Sequence, residues 1–107
     1  MKTILFFLFI ALTADAQADE MLKQGVFSCE DSNYNIVPLK VTQHPTKPNK
    51  AVISWEGRDR VLHREQSVSG AIRYEGLGSK LLYIQTPHHS VLLDNNTMNV
   101  VLSECMR

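Results

Sequence analysis

Ala51-Val52-Ile53-Ser54-Trp55-Glu56-Gly57-Arg58-Asp59-Arg60-Val61-Leu62-His63-Arg64-Glu65 is the stretch on which the fold turns. Ala51, Ile53 and Trp55 fall on one face of an alternating run, Gly57 marks a bend, and Arg58 to Glu65 returns with Val61 and His63 on one face and Leu62 on the other. Alternation with a period of two on both sides of a turn residue is the signature of an antiparallel hairpin. The hairpin sets a β framework, and the flanking sequence agrees with it.

Downstream, Ser67-Val68-Ser69-Gly70-Ala71-Ile72-Arg73-Tyr74 follows small hydroxylated residues and a glycine with strand formers. The serines are expected on a tight, exposed bend that empties into a strand over Ile72 to Glu75. Such a loop, with little bulk and several hydroxyl groups, can enter a partner's cleft and hydrogen-bond there. Taken alone, the same octapeptide reads more simply as a hairpin corner with no partner. Gly76-Leu77-Gly78-Ser79 then turns the chain into Lys80 to Gln85, Pro87 interrupts, and Ser90 to Leu93, the Asp94-Asn95-Asn96-Thr97 turn and Met98 to Cys105 make a last hairpin.

Upstream, Gly25 to Glu30 alternates with Phe27 and Cys29 on one face, Asp31-Ser32-Asn33 turns, and Asn35 to Thr42 forms a second strand. Pro38 lacks a ladder donor and places that strand at an edge or a bulge. Gln43 to Lys50, with Pro45 and Pro48, reads as a polar excursion, and Asp19 to Gln24 as a loose lead-in or a short helical turn. The count is about eight short strands, which must stack as two sheets or close as one. Candidate core residues by alternation are Phe27, Ile53, Trp55, Leu82 and Val100.

Met1-Lys2-Thr3 is a cationic start, Ile4 to Leu12 is almost wholly apolar, and Ala16-Gln17-Ala18 supplies the small residues that signal peptidase reads. Residues 1–18 are therefore expected to be a cleavable secretory signal and 19–107 a single domain, periplasmic or secreted. The apolar run is shorter than a bilayer needs, and no cysteine stands at the cleavage site to carry a lipid, so no membrane anchor is expected. Roughly 90 residues can bury one small core. The only cysteines are Cys29 and Cys105. In an oxidising compartment pairing is expected, and closing a loop of about 75 residues stabilises by about 4 kcal/mol in the chain-entropy account. That bridge ties the first strand to the last and favours a small closed antiparallel β-barrel over a two-sheet stack.

Lysine plus arginine and aspartate plus glutamate each number 11, a balance that argues against a nucleic-acid partner. No Gly-x-Ser-x-Gly elbow is present, and no histidine is placed to suggest a triad. His88 and His89 are adjacent and would point to opposite faces of a strand, which argues against a metal site. No glycine-rich phosphate loop opens a helix, so no cofactor is expected. Asn95-Asn96-Thr97 fits a glycosylation sequon, which matters only in a eukaryotic source.

The order of features resembles the MliC/PliC family, bacterial inhibitors of c-type lysozyme. The resemblance runs over nearly all of the expected mature chain. It rests on the early Phe27-Ser28-Cys29, the Ala51-Val52-Ile53-Ser54-Trp55-Glu56-Gly57 hairpin, the closing Val101-Leu102-Ser103-Glu104-Cys105, and above all the serine loop, longer here by Ile72. It implies an eight-stranded barrel with one disulfide that puts the serine loop into the lysozyme active-site cleft. Lysozyme is then the protein partner, and the chain does no catalysis of its own. On that basis Ser69 contacts the catalytic carboxyl pair, with Ser67 as its alternate, Gly70 permits close approach, and Arg73 and Tyr74 shape the loop base or touch the cleft rim. The family's second motif, Trp-x-Lys-Gly-x-Glu-Ala, reads here Tyr83-Ile84-Gln85-Thr86-Pro87-His88-His89. Tyr83 can stand in for the tryptophan, Gln85 cannot supply the lysine's charge, and Tyr83, Gln85 and His88 are the candidate second contacts, with Lys80, His88 or His89 as possible sources of the missing charge. Lysozymes of this class are generally basic, so steering requires acidic residues near the loop. The alternative is an adhesin-like or other envelope barrel that binds a protein without inhibiting lysozyme, and a small secreted hydrolase is a third reading.

Overall fold

The computed structural model describes residues 21–68, 70–76 and 78–107. The expected signal at 1–18 and Ser69 of the serine loop lie outside the described residues. Eight strands follow one another: β1 (Gly25–Glu30), β2 (Ile36–Gln43), β3 (Lys50–Trp55), β4 (Arg58–Val68), β5 (Ala71–Gly76), β6 (Leu81–Gln85), β7 (Ser90–Asp94) and β8 (Val100–Met106). Each pairs antiparallel with the next, and β1 pairs with β8, so the sheet closes into a barrel. Closure satisfies the edges that an open sheet of this size would leave unpaired.

The hairpin read first from sequence forms as expected, with Trp55 opposite Arg58 and Ala51 opposite Leu62. Ala51 and Ile53 are fully buried, and Trp55 packs half-buried against the core with the Arg60 guanidinium 4.8 Å from its ring centroid. β4 runs three residues past Glu65, to Val68, before the chain turns. Pro38 stands opposite Ser28 of β1, beyond Lys40, the last β2 residue paired with β3. A closed barrel thus still gives the proline a position with no partner on its other side.

The interior is filled by Phe27, Leu39, Val41, Ile53, Leu62, Tyr74, Tyr83, Leu92 and Leu102 around the Cys29–Cys105 disulfide. β8 shows why simple alternation fails locally. Ser28 pairs with Met106 and Glu30 with Ser103, so β8 carries one extra residue there, and Glu104 takes a φ of +52°. This bulge shifts the inward parity by one, which lets both Leu102 and Cys105 face the core. A second slip separates the Leu92–Leu102 and Leu93–Val100 pairs. Val100, expected in the core, is therefore exposed (52 %), and Leu102 takes the interior position. Leu82 is buried, but it pairs with Leu93 and lies on the opposite face from Tyr83, outside the main cluster.

The described part of the lead-in, residues 21–24, is neither loose nor helical. Leu22 is buried in the core cluster, Gln24 Oε1 accepts from the Gln43 amide at 2.8 Å, and the Gln24 carbonyl accepts from Arg107. One apolar side chain and a set of main-chain bonds tie it across the end of the barrel.

Candidate functional site at the loop end of the barrel

Up-and-down topology gathers alternate connections at each end of the barrel. One end holds the β2–β3, β4–β5 and β6–β7 connections together with the lead-in and Arg107; the other holds the remaining connections. The serine loop belongs to the first. Val68 pairs with Ala71, and Gly70 lies in the connection between them. Gly70 is exposed with a φ of +78°, the left-handed conformation that two-residue hairpin turns require and glycine adopts without strain. Between the Glu65–Arg73 and Val68–Ala71 pairs the register slips, leaving an extra residue in β4 just before the turn. Such a bulge bends the strand and re-aims the hairpin tip.

The proposed contacts of this loop divide. Arg73 lies on the outer wall, opposite Glu65, with its Nη2 3.5 Å from Glu75 Oε1. On the same wall the His63 imidazole meets the Glu65 carboxylate. Partly exposed pairs of this kind, screened by solvent, contribute about 1 kcal/mol at most. Tyr74 points inward, is 1 % exposed and pairs with Tyr83 on the neighbouring strand. It can shape the base of the loop; it cannot touch a rim.

The second set of candidate contacts divides in the same way. Tyr83 is buried, and burial pushes its phenol above the usual tyrosine range, against the opposing effect of Ser90 and Gln85 beside it. Gln85, 3 % exposed, is fully engaged: its Oε1 accepts from the Lys23 amide at 2.7 Å, while its Nε2 donates to the Lys23 carbonyl at 3.0 Å and to the Tyr83 hydroxyl at 2.9 Å. This is a reciprocal amide clamp on the lead-in. His88 is exposed on the β6–β7 connection, whose turn is held by the Thr86 amide donating to the His89 carbonyl at 2.8 Å.

Sequence reading missed Lys23. Its main chain rests in the Gln85 clamp, and its ammonium donates to the Pro87 carbonyl. Met21, Lys23, Gly70, Ile72, Gln85, Thr86 and Pro87 together line a cleft of about 260 Å³. A neighbouring hollow of about 140 Å³ shares Lys23, Gln85, Thr86 and Pro87 and adds His88, His89 and Arg107 among its walls. The tip of the serine hairpin and the second motif thus meet across one concavity, although about a dozen residues separate them in sequence.

The balanced net charge conceals an asymmetry. Among the described residues outside strands, the loop end carries Lys23, Lys47 and Arg107 with His44, His88 and His89, and no aspartate or glutamate side chain. The opposite end carries Asp31 and Glu56 with Lys80, and in the strands at or near that end lie Glu30, Asp59, Glu75 and Asp94 together with Arg58 and Arg60. Lys80 is therefore at the far end from the serine hairpin and supplies no charge to it. Among the described residues outside strands, no acidic residue that would steer a basic partner stands near the loop.

No protein-family model matches this chain, and no curated protein or solved structure matches it either.

Proposed function

We propose that this protein is an inhibitor of c-type lysozyme that acts in the periplasm or after secretion, inserting the β4–β5 hairpin tip into the enzyme's cleft without chemistry of its own. One observation carries the reading: the β4–β5 connection, between paired Val68 and Ala71, runs through the exposed, left-handed Gly70 at the end of a closed, disulfide-tied barrel, beside a cleft that Gly70 lines with Thr86 and Pro87. A retaining glycosidase works with two carboxyl groups about 5 Å apart. A small hydroxyl side chain can donate to one and accept from the other, and a rigid scaffold lowers the ordering cost of binding.

Clearing of a bacterial cell suspension by lysozyme, followed by turbidity with increasing amounts of the purified protein, tests the proposal. Stoichiometric suppression of clearing is expected. Ser69→Ala is expected to weaken inhibition about ten-fold, and Gly70→Trp to abolish it, because a bulky residue at a left-handed position cannot enter a narrow groove. Inhibition equal to wild type in both variants removes the loop from the mechanism.

The cationic loop end favours one second reading, an envelope barrel that binds an acidic protein surface. Pull-down from host secretions separates the two, since this reading requires capture of an acidic protein in place of lysozyme.

A further inference from the structure

We infer that Lys23 is the cationic contact of the loop end, set to meet an ionised carboxylate inside a glycosidase cleft; the inference rests on the inhibitor reading above. The main chain of Lys23 is fixed at both its amide and its carbonyl by buried Gln85. Its side chain is exposed, donates to the Pro87 carbonyl, and pairs with no carboxylate among the described residues. An ammonium has three donors, so two remain for a visitor. Lys23 also lines the same cleft as Gly70, which brings the charge beside the hairpin tip.

The other cations of this end are placed differently. Arg107 donates from Nη1 to the Gln24 carbonyl, and its guanidinium lies 5.7 Å from the Phe27 ring centroid. Lys47 lies on the β2–β3 connection and lines neither hollow, while His88 and His89 line only the smaller one. Among the described residues Lys23 alone joins a preset backbone, a charge with no carboxylate partner there and a shared wall with the hairpin tip. Occluding a cleft strips water from its ionised carboxylate, and a buried charge left without a partner is costly. A lysine ammonium delivered with the hairpin removes that cost. The contact acts at short range, so it bears on dissociation more than on encounter.

The test is binding kinetics of the wild-type protein, Lys23→Gln, Lys23→Arg and Lys47→Gln on immobilised c-type lysozyme, with thermal unfolding of each variant alongside. Lys23→Gln is expected to dissociate at least ten-fold faster with its association rate within about two-fold of wild type. Lys23→Arg is expected to recover most of that loss, and Lys47→Gln to dissociate as wild type. Unfolding midpoints are expected to agree, because the bonds to Gln85 come from the Lys23 main chain and survive the substitution. Wild-type dissociation by Lys23→Gln overturns the inference and leaves the inhibitor reading standing. Absence of any binding by the wild-type protein ends both.

Discussion

Replacing Gln85 with leucine removes an amide at nearly constant volume and tests whether the lead-in is an integral part of the barrel. Three hydrogen bonds disappear: those to the Lys23 amide and carbonyl and the one to the Tyr83 hydroxyl. If the lead-in stays in place, two main-chain groups lose their partners, at about 1–3 kcal/mol each where they are shut off from water. If it peels away, water satisfies them, but Leu22 leaves the core, at about 1.5–3 kcal/mol for a side chain of that size. The cheaper route prevails, so the expected loss is about 2–3 kcal/mol, taken mainly by undocking. Native-state hydrogen exchange reads it directly. The Lys23 amide is expected to lose about 30- to 150-fold in protection, since each 1.4 kcal/mol is a factor of ten. Wild-type protection at Lys23, with a stability change below about 0.5 kcal/mol in urea, refutes the clamp.

Converting both Cys29 and Cys105 to alanine opens a loop spanning a separation of 76 residues, which the chain-entropy relation values at about 4.5 kcal/mol. A drop in the unfolding midpoint of about 20 °C or more is expected, with exchange rising first along the irregular β1–β8 seam; a shift under about 5 °C contradicts the entropic account. Tyr83 gives a pH dependence. Its phenol is raised above 10.0 in the folded chain, so the folded state keeps that proton longer than the unfolded state; the contribution is full below pH 10.0 and is lost as pH rises through the folded value. Spectrophotometric titration is expected to show a late-ionising tyrosine that Tyr83→Phe removes, and an unchanged late component in that variant sinks the assignment.

The strands, the barrel, the disulfide and the inward faces of Phe27 and Ile53 were legible in the sequence because each follows from a local rule. Period two separates Ala51, Ile53 and Trp55 from their outward neighbours, glycine and asparagine mark bends, and a lone cysteine pair in a chain of this length has one useful bridge. Val100 shows the limit of such rules: alternation is reliable only while a ladder keeps register, and the slips in β8 arise from what the neighbouring strands demand. Tyr74 and Gln85 show another, since side-chain type does not reveal whether a polar atom turns outward or is consumed inside.

The serine turn and its glycine were visible in order along the chain, whereas its surroundings were decided only on closure. Lys23 and Gln85 are 62 residues apart, and no spacing rule connects them. Their contact exists because up-and-down winding brings the lead-in and the β6–β7 connection to one end of the barrel. The polarity of charge between the two ends has the same origin: composition fixes only the sum of charges, and alternating the direction of successive strands decides which of them share an end.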